Sequence, residues 1–345
     1  MKPTLPTAEP ASSKPRALRL LGFAIFFGFS FFIFAYQTFP YHKLRDYLVD
    51  RVQFERVGNR VRPTGNYLSI VQLEPSWFTG IVASGVQFRR EARDALDPPL
   101  ELTIPEVHAR VNVLPLLLGT AKIGFGAELP MGEMNGSVSV SLLGRPKALE
   151  LEFERVNLRA LGGLRFLTQI PVKGILDGTI SLDLGEKLEE TTGNFSLALT
   201  DTEIGDGETK LRIPGVPGGL TVPPAHAGNI TLELPIEGGL GIIRKLEGRG
   251  EHLNVDGAGN FRLKSPFDAS LFDILLKAQF ADAYAKSHPR AETLIGMLEK
   301  TPVASMARTT DGAYQIRVRG SVKTSLRAVP AARDRLEDLM VPAAD

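Results

Sequence analysis

The chain has 345 residues, of which 40 are basic and 39 acidic, so its formal net charge is +1. This balance lacks the basic surplus that is typical of nucleic-acid-binding domains, and we expect no nucleic-acid partner. The absence of cysteine excludes disulfide bonds, thiolate metal sites and cysteine nucleophiles. A hydrophobic fraction of 43% is ordinary for a packed protein, so we expect one large folded domain or two smaller ones.

Near the N-terminus, Leu20–Tyr41 is an uncharged stretch of 22 residues with eight phenylalanines. As a helix it would be roughly 33 Å long, enough to cross a bilayer core of about 30 Å. The apolar run is longer than that of a cleaved signal peptide, and no small-x-small cleavage site follows it, so a signal anchor is predicted. A buried core helix is disfavoured because no polar face interrupts the run. Tyr36 and Tyr41 are predicted to lie in an interfacial aromatic belt.

The orientation of this helix is inferred from the lengths of its flanks, since their lysine and arginine counts are nearly equal. A tail over residues 1–19 is predicted to be disordered and cytoplasmic. The large remainder is predicted to be translocated, with residues 66–325 forming a periplasmic β-rich domain anchored to a bacterial inner membrane. The alternative is a eukaryotic lumenal domain, in which Asn194 and Asn229 would be glycan acceptors.

The regions at both ends of this domain have their own patterns. Residues 42–65 are predicted to be a stalk, because apolar residues in His42–Val57 fall at helical spacing. The glycine, proline and arginine residues of Asn59–Gly65 predict a turn that ends it. Residues 326–345 are predicted to be a flexible tail, with some helix around Arg333–Met340.

Two internal stretches predict short helices. Asn157–Gln169 offers Asn157 as an N-cap, followed by leucines at helical spacing. Asp282–Lys300 has a similar spacing, but Pro289 divides it into two short helices. Ile213–Ala227 is rich in glycine and proline and is predicted to be a loop.

Elsewhere between residues 107 and 322 apolar and polar residues alternate with a period of two. Successive side chains of a strand point to opposite faces, so this pattern predicts about ten strands, each with one apolar and one solvated face. Such strands are typical of antiparallel sheets. The apolar positions are Val107–Val113, Ile123–Leu129, Val138–Leu142, Leu149–Phe153, Leu176–Leu184, Phe195–Leu199, Ile230–Leu234, Phe261–Leu263, Phe272–Phe280 and Tyr314–Val318.

Glycines between these runs are interpreted as hairpin turns, among them Gly136, Gly174, Gly193 and Asp256-Gly257. The predicted fold class is therefore mainly β: one transmembrane helix, then an elongated, curled antiparallel sheet with a few short helices. An apolar sheet face must be buried against something. With so few helices, the sheet either closes on itself as a sandwich or barrel, or stays open as a groove that holds acyl chains or a partner segment.

No residue set predicts catalysis, a metal or a cofactor. The five histidines, His42, His108, His226, His252 and His288, show no metal-ligand spacing, and phosphate-loop and nucleophile-elbow motifs are missing from the sequence. His108 and His252 are predicted to lie on solvated strand faces.

Two further features are interpreted as structural and not as parts of a functional site. Glu150, Glu152 and Glu154 are predicted to project from one face as a solubilising sheet edge rather than an acid–base pair. Trp77, the single tryptophan, is predicted to pack in a core, with a strand or interface anchor as the alternative.

Several short motifs follow the single anchor in a fixed order. They are Pro75-Ser-Trp-Phe-Thr-Gly80, Gly85-Val-Gln-Phe88, Val111-Asn-Val-Leu-Pro-Leu-Leu-Leu-Gly119, Lys210-Leu-Arg-Ile-Pro-Gly215, Gly218-Gly-Leu-Thr221, Phe280-Ala-Asp-Ala283 and Asp311-Gly-Ala-Tyr314. In this order of motifs the chain resembles the type II secretion system protein N family, in the long form of some bacteria, over about residues 20–325. Residues 107–199 also resemble the strand repeats of AsmA-type envelope proteins, which are implicated in lipid movement.

The resemblance implies a bitopic inner-membrane protein, an accessory part of the machine that exports folded proteins across the outer membrane. Its partners would be other subunits of that machine, and it implies no catalytic residues. A lipid-binding or lipid-bridging protein, with membrane lipids in the apolar groove, is the alternative. An envelope enzyme is the least favoured class.

Overall fold

The structure is a computed structural model that describes residues 14–57, 60–77, 79–91, 100–112, 115, 119–129, 131–159, 171–211, 220–321 and 325–339. The fold is mainly β, with one large antiparallel sheet, an apolar N-terminal helix and a few short helices, as predicted. Residues 160–169 of the predicted helix and residues 213–219 of the predicted Gly/Pro loop lie outside the described residues. The remainder of the loop prediction is partly wrong, because residues 220–221 and 225–227 belong to strands. Asn157 itself ends a strand, and its side chain accepts a hydrogen bond from the backbone of Arg159.

Two helices begin the described chain. Helix α1 (Lys14–Thr38) contains Arg19–Thr38, a segment long and apolar enough to cross a membrane, none of which is buried against the protein. Helix α2 (Tyr41–Gln53) follows after Pro40 and is shorter than predicted. The next residues form a small hairpin, β1 (Phe54–Val57) and β2 (Arg60–Pro63), where helix and turn were expected. The predicted disordered tail is helical from Lys14 onward.

The main sheet has 15 strands, all paired antiparallel, and nearly every strand pairs with its neighbour in sequence. Strands β14 and β15 are consecutive pieces that both pair with β13 and β16. A separate two-residue pair, β11 (Lys210–Leu211) with β12 (Leu220–Thr221), lies outside the sheet. The strands are β3 (Asn66–Ser76), β4 (Gly80–Arg90), β5 (Leu100–Asn112), β6 (Thr120–Glu128), β7 (Glu133–Ser141), β8 (Pro146–Asn157), β9 (Val172–Asp183), β10 (Thr192–Ile204), β13 (Ala225–Glu237), β14 (Leu240–Ile243), β15 (Lys245–Arg249), β16 (Leu253–Arg262), β17 (Leu271–Phe280), β18 (Tyr314–Ser321) and β19 (Ser325–Pro330).

All ten predicted strands are confirmed, and the sheet extends beyond them at both ends. At the N-terminal end the buried side chains move from one set of alternate positions to the other within a strand. For this reason the alternation of the sequence did not predict β3 and β4. Val71 in β3, Gly85 in β4 and Pro105 in β5 are each without a paired residue in the neighbouring strand. At these positions the partly buried side chains change from even-numbered to odd-numbered residues, or the reverse. Gly85 has φ +64°, and a Cβ on it would lie 2.7 Å from Val71 Cγ2, so the irregularity requires glycine.

The two lateral edges of the sheet differ. Along β3, side chains of α2 reach its outer carbonyl oxygens: Gln53 Nε2 donates to Leu68 O at 3.2 Å, and the Arg45 guanidinium lies 3.5 Å from Val71 O. On the other side the sheet ends with β19, which pairs only with β18 and whose residues Arg327–Val329 are exposed. Helix α2 therefore covers one edge, as edge strands commonly require, and the described sheet is open rather than closed.

The turns lie on two rims. We call the rim that carries the Ser76–Gly80 turn the proximal rim, since Tyr36 of α1 contacts that turn; the opposite ends of the strands form the distal rim. Three helices stand at the distal rim between β17 and β18: α3 (Asp282–Ser287), α4 (Pro289–Lys300) and α5 (Pro302–Ala307). The two predicted helices are confirmed, and α5 is additional.

Tyr284 of α3 is the centre of the largest buried cluster. Its side chain is fully buried, its ring stacks on Phe280 with a centroid distance of 5.2 Å, and its hydroxyl donates to Pro223 O at 2.8 Å. Ala225 and Leu253 from the sheet and Leu294 from α4 complete the cluster. Burial raises the pKa of Tyr284 to about 12. This cluster fastens the helices to the distal rim.

The predicted flexible tail is wrong for residues 326–339. After β19, the chain folds over the polar side of β17, where Ala331 and Leu339 pack on the fully buried Leu275. Arg317 donates to both carboxylate oxygens of Asp273, at 2.6 and 2.8 Å, and to Asp334 at 2.6 Å. Burial alone would raise the pKa of Asp273, but hydrogen bonds from Arg317 and Arg319 outweigh it and lower that pKa.

Candidate binding surface

One face of the main sheet carries most of its apolar side chains, and we call it the apolar face. Directly paired residues share a face of a sheet, so the strand registers define its rows. One row crosses nine strands from β3 to β13, and a second crosses seven strands from β6 to β15. The first is Pro75, Ile81, Ala109, Phe125, Gly136, Leu151, Ile180, Phe195 and Leu234, and the second is Ala127, Met134, Phe153, Gly178, Leu197, Leu232 and Leu246.

The apolar face is only half-buried. Phe125, Leu151, Ile180 and Phe195 keep partial access to solvent although they occupy the middle of the sheet. In a sandwich, side chains at such positions are enclosed by a second layer. Among the described residues the only other sheets are the two-stranded pairs β1–β2 and β11–β12. The apolar face is therefore open along the middle of the sheet, and of the two predicted forms the structure has the open one.

Glycines lie within the rows of the apolar face, where turns were predicted. Gly136, Gly174, Gly193 and Gly257 are inside strands, so their interpretation as hairpin turns is wrong. A Cβ on Gly136 would lie 2.6 Å from Phe125 Cζ and 2.9 Å from Leu151 Cδ2. The large neighbouring side chains thus occupy the space above Gly136, and any other residue there would collide with them. The sequence pattern that indicates this role is a glycine in phase with the apolar positions of its strand.

The opposite face of the central strands is polar. Glu150, Glu152 and Glu154 are exposed there, as predicted, but their strand β8 lies inside the sheet and not at an edge. Glu150 accepts hydrogen bonds from Ser137 Oγ at 2.7 Å and Lys122 Nζ at 3.0 Å. The hydrogen bond from Ser137, followed by the bond and charge of Lys122, lowers the pKa of Glu150. These glutamates therefore keep one side of the sheet solvated.

The structure corrects two predictions about single residues. His252 is not on a solvated strand face: it lies in the β15–β16 turn, half-buried, with ring centroids 5.1 Å from His226 and 5.6 Å from Tyr284. His108 is exposed on β5, as predicted. Trp77 does not pack in a core, since 76% of its surface is exposed in the β3–β4 turn.

Within the described residues, no group of three histidine, aspartate or glutamate side chains is placed to hold a metal ion. No protein-family model, curated protein or solved structure matches the chain. The arrangement offers a long apolar surface and an edge strand, β19, which pairs with no further strand among the described residues. Both are means of binding, by apolar contact and by backbone pairing respectively.

Proposed function

We propose that this protein is a bitopic inner-membrane component of the type II protein secretion machinery, with its sheet in the periplasm, and that it acts by protein contacts without catalysis. The order of motifs between residues 20 and 325 supports the family, and a β-rich domain behind one apolar helix agrees with what the resemblance implies. The observation that carries the proposal is the asymmetry of the sheet. One edge is covered by α2 next to the anchor, and the other, β19, is free for a second subunit to add a strand.

We expect a photo-crosslinking residue at Val329 to capture another secretion subunit in living cells, since that side chain is exposed on the free edge. The matched control is the same probe at Thr179, which is exposed in the middle of the polar face and should give no product. Disruption of the gene should also reduce release of exported proteins into the medium. Unchanged release, or equal crosslinking at both positions, would contradict the proposal.

A second candidate function is lipid binding or lipid bridging, and the open apolar face favours it. A half-buried surface crossing nine strands is roughly 40 Å long at about 4.8 Å per strand, which exceeds the length of an acyl chain. Covering apolar area contributes about 25 cal/mol per Å², so an extended hydrocarbon would be held without any specific polar contact.

The lipid hypothesis predicts that phospholipid co-purifies with the detergent-extracted protein. Changing Val140 and Leu182 to aspartate places two charges on the apolar face and should reduce the retained lipid by roughly tenfold or more, because an unpaired carboxylate against hydrocarbon costs several kcal/mol. Ser139→Asp with Ser181→Asp is the matched control, because these residues precede the other two and point to the polar face. Native mass spectrometry would measure the retained lipid. Equal retention in both variants would reject the lipid site.

A further inference from the structure

We propose that the proximal rim beside α1 docks on the bilayer surface, with Trp77, Leu142 and Leu143 inserted at the lipid interface. The proposal rests on the membrane anchoring proposed above. The partner of this rim is the lipid leaflet into which α1 leads.

The first observation fixes the depth of the β3–β4 turn. Tyr36 lies within the apolar segment that ends at Thr38, and its hydroxyl is within hydrogen-bonding distance of the carbonyl oxygens of Ser76, at 3.1 Å, and Gly80. Tyr41 Oη in turn donates to Tyr36 O at 2.8 Å. When α1 spans a bilayer, the last turn of that helix is at the interface, so the turn bonded to it is at the same level.

The second observation is what that turn exposes. Trp77 follows Ser76 directly, has φ +56° and leaves 76% of its surface uncovered. A bulky side chain with positive φ is an outlier that the surrounding turn must hold in place. Indole rings prefer the boundary between hydrocarbon and headgroups, where an apolar ring and a polar N–H are both accommodated.

The third observation extends the surface along the same rim. The β7–β8 turn exposes Leu142 by 69% and Leu143 by 85%. It is a rigid turn, because Gly144 N donates to Ser141 O at 2.8 Å and Ser141 N donates to Arg145 O at 2.8 Å. It lies about four strand spacings, roughly 19 Å along the sheet, from the β3–β4 turn.

Charge favours a lipid partner for these exposed leucines. Arg145 and Lys147 lie two and four residues after Leu143, and both are exposed. Basic side chains beside apolar ones suit a surface of anionic headgroups over hydrocarbon, with each cation contributing about 1 kcal/mol near such a surface. At the other end of β7, the distal turn exposes Met131 on a surface where acidic residues outnumber basic ones: Glu133, Glu154 and Asp177 lie beside it with Arg155.

Trp77 is the single tryptophan beside six tyrosines, so emission excited at wavelengths that tyrosine does not absorb reports this rim alone. The protein would be reconstituted in vesicles of phosphatidylcholine and phosphatidylglycerol, with and without brominated acyl chains. We expect brominated lipid to reduce the emission to roughly half or less and aqueous iodide to quench it weakly, because an interfacial indole contacts the lipid. Leu142→Ser with Leu143→Ser should weaken quenching by brominated lipid, and Met131→Ser should leave it unchanged.

Emission that iodide quenches strongly and brominated lipid does not would overturn the docking proposal. Lipid quenching that survives the double leucine variant would overturn the part assigned to the β7–β8 turn. Extraction of the same vesicles with alkaline carbonate separates these results from a failure of the anchor. Protein released by carbonate would reject the proposed membrane anchoring itself, whereas protein that resists extraction with an aqueous Trp77 rejects only the docked rim.

Discussion

Replacing Gly178 with alanine is expected to destabilise the sheet by about 3 kcal/mol, the sum of a strained backbone and an overpacked strand pair. Gly178 lies in β9 with φ +142°, which L-residues rarely adopt. A Cβ on it would lie 2.2 Å from Ser196 O and 2.8 Å from Leu197 Cα in β10. Backbone atoms cannot move aside as a flexible side chain can, so the β9–β10 pairing must separate. Amide hydrogen exchange in β9 and β10 of the full chain in detergent would measure the loss.

Gly124→Ala is the matched control for this variant. Gly124 also lies inside a central strand, β6, but a Cβ there meets nothing closer than 3.9 Å. The alanine should be neutral or stabilise by a few tenths of a kcal/mol, because it restricts the unfolded chain. Protection of β9 and β10 that is unchanged in Gly178→Ala would show that these strands are less closely paired than described.

Truncating Tyr284 to alanine is expected to cost about 4 kcal/mol, as for other large aromatic side chains removed from a core. The fully buried ring joins α3 to Phe280 and to the ends of β13 and β16, and no other described aromatic residue of α3–α5 is buried. The loss should appear first as faster proteolysis within residues 282–307 and then as a lower urea midpoint in circular dichroism.

Two further substitutions test the cause of that loss. Tyr284→Phe removes only the hydrogen bond to Pro223 O and should cost about 1 kcal/mol. Tyr47→Ala on α2 removes a ring that is 63% exposed, and it should change stability by less than about 0.5 kcal/mol. If Tyr284→Ala behaved like Tyr47→Ala, the helices would not depend on this cluster.

The central strands are predictable from the sequence because they have one wet and one apolar face. Period-two alternation results directly from that environment, and it located ten of the strands between β5 and β18; the short strands β14 and β15 were not predicted. The same rule explains the failures. Strands β3 and β4 change phase at Val71 and Gly85, so no single alternation runs through them. Strand β19 has only six residues, and Val329 interrupts the short alternation that Leu326 and Ala328 begin.

The details of the candidate surface were harder to predict because they depend on contacts between distant segments. Leu275 is an apolar residue between Asp273 and Lys277 in the polar phase of β17, and it is buried because the segment after β19 returns to cover it. The alternation of residues within β17 gives no indication that a distant segment packs over Leu275. Trp77 was predicted in a core because large aromatic residues usually bury there, whereas its exposure follows from a turn that α1 holds by Tyr36.

Pairing between sequence neighbours gives the sheet an adjustable length. Each added hairpin would lengthen it by about 10 Å, two strand spacings, and would leave the pairings on both sides unchanged. Because α2 blocks growth beyond β3, such additions extend the molecule only away from its first helix. Gain or loss of hairpins during evolution would thus change the length of the sheet and leave the strands next to α2 unchanged.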